Sequence, residues 1–361
     1  MKLTIETAKL QNLIAKALKG ASCNKMIPIT SLIGITAKDN ELELVTTDAT
    51  NYLYVRSELD TLTEEFETVV PIEVFSKLIA RLTCDMVTLE VENDILTVFG
   101  NGKYSIELPL NEEGKSIKYP KPKITAKDED VKGDTITLSD TQFLLNTAKF
   151  SVSTALDVPC YTGYYVGDKV VTTDTYKICS IDTKLLGEPR LLSASTVELF
   201  SLFTSANITV IYNSADEIEF MDEGITIYSK CMDCISDYQI NAIQGLLDET
   251  FDSVVRISKK ALLQTLDRLA LFVGVYDKNA VTLTFTRDAL VISSKQVTGT
   301  DTIPYQSSEN FKDFVCSIDI EMLQTQVKAN MGDVLTLHYG RDNAVKLTDE
   351  KVTQIIALLE D

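Results

Sequence analysis

Met1-Lys2-Leu3-Thr4-Ile5-Glu6-Thr7-Ala8-Lys9-Leu10-Gln11-Asn12-Leu13-Ile14-Ala15-Lys16-Ala17-Leu18 sets the pattern for the whole chain. Residues 3–6 alternate apolar and polar, the period of a half-buried strand. Leu10, Leu13, Ile14, Ala17 and Leu18 then fall at i, i+3, i+4, i+7 and i+8. That is one face of a helix, so a helix is predicted over 8–18. The same opening returns twice. Strand 135–138 precedes helix 141–150, and strand 254–257 precedes helix 260–272. In the last of these Leu262, Leu263, Leu266, Leu269, Ala270 and Val273 repeat the apolar spacing. Ser139 and Ser258 stand where N-caps belong, because a serine oxygen can accept from a first-turn N–H.

Outward from each opening come strands, a second helix and a closing hairpin. The second helices are predicted over 71–82, 194–203 and 320–329. Pro71 suits a first turn, where its missing N–H is not needed. The hairpins fall over 87–110, 208–232 and 335–359, with turns at Asn93-Asp94, Asp216-Glu217 and Asp342-Asn343. The repeat length is about 120 residues, longer than a solenoid period. Val45-Thr46-Thr47-Asp48 matches Val171-Thr172-Thr173-Asp174, and Phe285-Thr286-Arg287-Asp288 reads as a fainter third copy. A Thr-Asp pair at a strand end makes a side-chain-stabilised turn. Residues 111–133 hold Pro120, Pro122, Lys115, Lys118, Lys121, Lys123 and Lys127 with few apolar side chains, a linker composition. The expected organisation is a first domain over 1–120, a linker over 121–133, a second domain over 134–249 and a third over 250–361.

The composition suits such a protein. A chain of 361 residues exceeds one ordinary core, and 45% hydrophobic residues can fill several. The formal charge is −19, from 53 Asp and Glu against 34 Lys and Arg. A surface that acidic repels a polyanion, so any nucleic-acid role needs its basic residues gathered on one face. Seven scattered cysteines, an odd number, read as free thiols of a reducing compartment. The alternating first residues carry no signal-peptide hydrophobic region, and no run reaches the roughly 18 apolar residues of a membrane span. A cytoplasmic protein without membrane partners is expected.

Three tandem units of strand, helix, strands, helix and hairpin resemble the bacterial DNA polymerase III beta subunit family, the beta sliding clamps. The resemblance spans essentially the whole chain. Residues 1–6 resemble the family's opening strand, Ile27-Pro28-Ile29 its next strand entry, and residues 45–50 its Thr-Asp turn. Gly100-Asn101-Gly102-Lys103-Tyr104-Ser105 resembles the tight hairpin that closes the first domain. Thr173-Asp174-Thr175-Tyr176-Lys177 resembles a Thr-Asp-Gly-His-Arg segment, and residues 233–238 a segment ending Pro-Asp-Tyr. The order and spacing of these short motifs carry the match.

The resemblance implies an α+β fold of three tandem clamp domains, with helices lining the interior of a ring and β-sheets outside. It implies a head-to-tail homodimer around duplex DNA, held without sequence-specific contact, and no cofactor or catalysis. Its partners would be a DNA polymerase and a clamp loader, bound through short peptide motifs. Basic side chains on the outward helix faces would meet DNA: Lys9, Lys16, Lys19, Lys77, Arg81, Lys149, Lys259, Lys260, Arg268 and Lys328, with Asn24 and Lys25 in a following loop. A charged stripe on a helix is ordinarily just its solvated face, and recurrence in several units is what favours the functional reading. No Lys or Arg occurs over 191–229, so one helix brings no base. Contact should therefore be weak and salt-sensitive.

The resemblance also places a peptide groove at Tyr161, Thr173, Thr175, Tyr176, Lys177, Ile178, Ser236, Ile240, Leu358 and Leu359, an apolar groove with a few polar anchors. Ile178, Ile240 and Leu358 could equally be ordinary core. Thr175, Ser236 and Leu359 stand where the family has glycine, proline and methionine. The ring joint would set Tyr104 of one chain against Leu271 and Phe272 of the other, two residues that core packing would also explain. Thr298, Thr300 and Asp301 stand where the family commonly has supporting acids.

Enzyme readings find little. His338 is the single histidine, too few for a triad or a histidine-based metal site. Cys231-Met232-Asp233-Cys234 has redox or zinc spacing but lacks a second pair. No P-loop or dinucleotide fingerprint occurs. The rival to a clamp is an acidic clamp-fold binding module or DNA mimic that does not encircle DNA.

Overall fold

The structure, a computed structural model, describes residues 1–125, 133–274, 278–294, 299–307 and 311–360. The first repeat runs β1 (Lys2–Glu6), α1 (Thr7–Ala17), β2 (Leu32–Lys38), β3 (Glu41–Thr47), β4 (Asn51–Glu58), β5 (Phe66–Pro71), α2 (Ile72–Ile79), β6 (Met86–Glu92), β7 (Ile95–Phe99) and β8 (Lys103–Glu107). The second runs β9 (Asp134–Thr137), α3 (Leu138–Asn146), β10 (Gly163–Val166), β11 (Val170–Thr173), β12 (Lys177–Ile181), β13 (Arg190–Ser193), α4 (Ala194–Leu199), β14 (Asn207–Tyr212), β15 (Glu217–Asp222) and β16 (Ile225–Lys230). A helix α5 (Ile240–Leu247) leads to the third: β17 (Ser253–Ser258), α6 (Lys259–Leu269), β18 (Ala280–Phe285), β19 (Ala289–Ser294), β20 (Thr300–Pro304), β21 (Gln306–Ser307), β22 (Phe314–Asp319), α7 (Ile320–Ala329), β23 (Val334–Tyr339), β24 (Ala344–Thr348) and β25 (Val352–Ala357).

Local chemistry explains these elements. Helix α1 buries Leu10, Leu13, Ile14 and Ala17, the face its spacing predicts. Each such leucine contributes roughly 1.5–3 kcal/mol by leaving water. Helix α6 buries Leu262, Leu266 and Leu269 and is capped by Ser258, whose Oγ accepts from the Ala261 N–H at 3.3 Å. Helix α7 spans the predicted residues, and Asp319 caps it through the Glu321 and Met322 N–H groups. The opening of every repeat is tied to the strand entry after its second helix. Thr7 N donates to Asp85 O at 2.9 Å, Leu138 N to Ala206 O at 3.1 Å, and Lys259 N to Asp333 O at 2.9 Å.

Several expectations need correction. Helix α3 starts at Leu138, so Ser139 lies inside its first turn instead of capping it. It ends at Asn146, and a 3-10 turn over Ala148–Ser151 covers the rest of the predicted span. Pro71 closes β5 and occupies the N-cap of α2, one residue ahead of the first turn. The closing hairpins are three-stranded meanders. Glu217 opens β15, so that turn falls on 213–216. Asn93 and Asp94, with φ of 51° and 59°, form the β6–β7 turn as expected.

The described residues gather into two compact units. One comprises Met1–Leu138 with Glu198–Cys231, the other Ser139–Val197 with Met232–Asp361. The first holds a four-stranded sheet, β1-β6-β7-β8, and an eight-stranded sheet, β5-β2-β3-β4-β16-β15-β14-β9. The second holds a nine-stranded sheet, β13-β10-β11-β12-β25-β24-β23-β17-β21, and a four-stranded sheet, β20-β19-β18-β22. All pairings are antiparallel.

This topology also sets the strand equivalences. The Thr46-Thr47-Asp48 turn joins β3 to β4, and the Thr172-Thr173-Asp174 turn joins β11 to β12. The Phe285 to Asp288 segment joins β18 to β19, which correspond to β2 and β3. It is therefore not the third copy of that turn. The corresponding connection, from Ser294 to Thr300, falls largely outside the described residues.

Candidate functional site

The Thr-Asp turns are alike in atomic detail. Thr46 Oγ1 donates to Ala17 O at 2.7 Å, and Thr172 Oγ1 donates to Ala148 O at 2.8 Å. Each hydroxyl pins the end of the repeat's first helical segment to the sheet. Asp48 Oδ1 accepts from the Thr50 and Asn51 N–H groups at 2.8 and 2.6 Å. Asp174 Oδ1 accepts from those of Tyr176 and Lys177 at 3.0 and 2.7 Å. Ala49 and Thr175, at the same place in the two turns, have φ of 80° and 77°. An L residue is strained there, a β-branched one most of all.

The groove candidates surround the second turn. Thr173 ends β11, Thr175 and Tyr176 are exposed in the turn, and Lys177 and buried Ile178 open β12. Ala357 N donates to Tyr176 O at 2.9 Å, which brings Leu358 and Leu359 beside the turn. Tyr161 stands on a 3-10 turn, Pro159–Thr162. Exposed Ser236 stands on a second one, Asp233–Asp237, and Ile240 opens α5. Tyr161, Ile178 and Ile240 pack in one cluster with Tyr238, while Leu358 packs against the third repeat's core. Tyr238 donates its OH to Val171 O at 2.9 Å, and its ring meets Tyr161 edge-on at 5.3 Å. The Lys177 ammonium is 3.1 Å from Asp174 and donates to Phe150 O at 3.0 Å.

Helix α5 is absent from the sequence reading, although Ile243 and Leu247 at i and i+4 bury its inner face. Tyr161 is among the groove candidates, but the packing of Tyr238 against it and against Tyr165, at 5.5 Å, is missed as well. The sequence does not announce it, because Tyr238 stands far along the chain from Tyr161 and Tyr165.

The basic candidates divide into two groups. Lys19, Asn24, Lys25, Lys77, Arg81, Lys149, Lys260, Arg268 and Lys328 are exposed, while Lys9, Lys16 and Lys259 are half-buried. Some are already engaged. Lys259 donates to the Asn330 and Lys328 carbonyls at the end of α7. Lys9 donates to Glu58 O, Lys77 pairs with Glu73 at 2.6 Å, and Arg268 Nε donates to Asp301 at 2.8 Å. The Arg268 hydrogen bond holds the Asp301 carboxyl below its usual range. Lys19 donates to Ser201 Oγ at 3.2 Å. Helix α4 carries Glu198 and no base.

At the joint candidates, Leu271 is 81% exposed, Phe272 41% and Tyr104 38%. Burial in the chain's own core therefore does not account for Leu271 and Phe272. Thr300 is exposed and Asp301 half-buried. Thr298, like Lys127 of the linker, lies outside the described residues.

The residues weighed for catalysis have ordinary roles. His338 Nε2 lies 2.9 Å from Thr348 Oγ1, and burial pushes its pKa down. Cys231 is buried, and burial raises the Cys234 thiol, the opposite of an activated thiolate. Among the described residues no group of three or more His, Cys, Asp or Glu is placed to hold a metal. No described helix is long and apolar enough to cross a membrane.

Comparison with known proteins supports the resemblance. Residues 1–114 match the DNA polymerase III beta subunit N-terminal domain. The beta sliding clamp of Bacillus subtilis (strain 168) is 24% identical over 306 residues, covering 78% of this chain and 77% of that one. The crystal structure of a Bacillus subtilis DNA polymerase sliding clamp has a TM-score of 0.85 at 18% identity, covering 100% of this chain and 99% of that one. A Bartonella birtlesii sliding clamp bound to griselimycin has a TM-score of 0.86 at 14% identity, covering both chains in full. The fold is that of the beta clamps throughout.

Proposed function

We propose that this chain, a relative of the bacterial beta sliding clamps in its first domain and in its whole fold, is itself a DNA sliding clamp. Two copies close head to tail around duplex DNA and tether a replicative polymerase, without catalysis. Three clamp domains per chain, the first two separated by the linker at 121–133, would make a ring of six.

The observation that carries this reading is an unfilled joint. The third strand of the first repeat, β4, pairs with the last strand of the second, β16. The third strand of the second repeat, β12, pairs with the last strand of the third, β25. By the same rule β20 should pair with a last strand, and β8 is the last strand that has no such partner. Both end their sheets among the described residues. A second copy supplies each with its missing neighbour, and Tyr104 on β8 then meets Leu271 and Phe272. A free strand edge is a ready template for such pairing.

The exposed bases recur on the helices of the first and third repeats and, as Lys149, in the second. A lining of scattered cations holds phosphates weakly, which suits a ring that must slide. The acidic remainder repels DNA from other surfaces. The groove at Tyr161, Tyr176 and Ile178 would take the short peptide motifs of polymerase and loader.

Light scattering across a dilution series tests the ring. A species of twice 40.0 kDa is expected, together with retention on circular DNA that is lost on linearisation. A monomer at every concentration that is never retained on circles would overturn the reading in favour of an acidic clamp-fold binding module.

A further inference from the structure

The groove has an uneven charge. Its 3-10 turn, Asp233–Asp237, supplies Ser236 to the wall and carries an exposed carboxylate at each end, Asp233 and Asp237. Neither carboxylate has an ion-pair partner among the described residues. Their charge is felt by the neighbouring cluster that holds Cys160 and Cys234: burial comes first in raising both thiols, with Cys234 and then Asp237 adding at Cys160, and Asp233 and Asp237 adding at Cys234. Lys177 is the one cation among the ten groove candidates. Its side chain is 15% exposed and is held by Asp174 and Phe150 O, so it offers an incoming ligand little charge. The apolar side is open, with Tyr176 61% exposed and Tyr161 and Ile240 half-buried.

We infer that the groove selects peptides in which a cationic residue flanks the hydrophobic anchor, with Asp233 and Asp237 as the charge-reading residues. This rests on the groove's being a peptide site. The anchor would lie against Tyr161, Tyr176 and Ile240, and a neighbouring lysine or arginine would reach the two carboxylates at the rim. Rim charges are solvated and salt-screened, so they set preference and encounter rate while the anchor supplies most of the affinity. A typical rim pair changes binding a few-fold, so two together should discriminate by roughly tenfold at low salt.

The test uses the full chain and two fluorescein-labelled nonapeptides sharing a central pair of leucines, one flanked by lysines and one by glutamates. Fluorescence anisotropy is expected to show roughly tenfold tighter binding of the lysine peptide at low salt, shrinking as salt is raised. Asp233→Asn with Asp237→Asn should remove most of that preference. Removing two charges from a chain of net −19 barely alters its general attraction for cations, so a large effect locates the preference at the rim. Tyr176→Ala, at an exposed position, should weaken both peptides alike. Equal binding of the two peptides, or a preference untouched by the double substitution, overturns the charge selection and leaves the groove standing. Binding of neither peptide, or binding indifferent to Tyr176→Ala, overturns the groove reading and the selection with it.

Discussion

The two joints that the chain closes within itself differ in kind from the strands it leaves open. In the first closed joint Leu53 faces Ile227 and Val55 faces Ile225, and all four are buried. In the second Ile178 faces Ile355 and Ile181 faces Val352, again all buried. The open strands have another character. Strand β8 reads Lys103-Tyr104-Ser105-Ile106-Glu107 and buries only Ile106. Strand β20 reads Thr300-Asp301-Thr302-Ile303-Pro304 and buries only Ile303. Charges and a proline on an edge discourage indiscriminate pairing. The closed joints are built like core, with apolar area leaving water on both faces. The open strands are built like the rim of an interface that can part. On the proposed function the closed joints would hold each chain together, and the open strands would let the ring part to admit DNA.

The largest expected effect breaks a closed joint. Ile227→Ala removes a fully buried side chain and should cost about 2–5 kcal/mol, read as a lowered urea midpoint. A cost below about 1 kcal/mol would mean the joint is not core-like. Next comes Leu271→Asp at the open joint. With 81% of Leu271 exposed, unfolding stability of the monomer should hardly change. With two copies joined as proposed, their association should weaken at least tenfold in sedimentation or light scattering, as expected for an interface anchor. Unaltered association would place the contact between copies elsewhere.

A smaller effect concerns the turns that enter the joint strands β4 and β12. Thr175, with φ of 77°, should be relieved by Thr175→Gly. The gain is about 0.5–1 kcal/mol, because glycine adopts this backbone freely but also loosens the unfolded chain. Thermal unfolding of the variant beside Ala49→Gly compares the two turns directly, and a loss of stability would show that the Thr175 side chain contributes more than its backbone costs. The smallest effect is pH dependence from His338. Burial lowers its folded pKa, so the unfolded chain binds the proton more readily. Its contribution to stability is present above the unfolded value, about 6.5, and is lost as pH falls through it toward the folded value. His338→Gln should flatten the stability profile between about pH 7.5 and 5.5.

The reading of the sequence was most accurate where a single element carries its own signal. Helix α7 was legible from its place as the second helix of the repeat, and Ser258 from its place one residue before α6. Ser139 looked identical in sequence, yet the helix there begins earlier. A cap is set by where the preceding strand lets the chain turn, and β9 ends at Thr137. The echo at Phe285 shows the same weakness: a short Thr-x-Asp string marks a turn but not which turn, and only strand pairing assigned it. Leu271 and Phe272 have the composition of core, and only the packing around α6 exposes them.

By itself the sequence determined the threefold repeat, the helix faces and the resemblance to the sliding clamps. These depend on periodicity and order along the chain, which local sterics and solvent impose wherever the segment sits. Tertiary structure alone decided which strands are joined and which stay open among the described residues, which lysines are already held by carbonyls or carboxylates, and which acids stand exposed beside the candidate groove residues. Those properties depend on residues far apart in sequence that become neighbours only when hydrogen-bonded edges and apolar faces are matched in space.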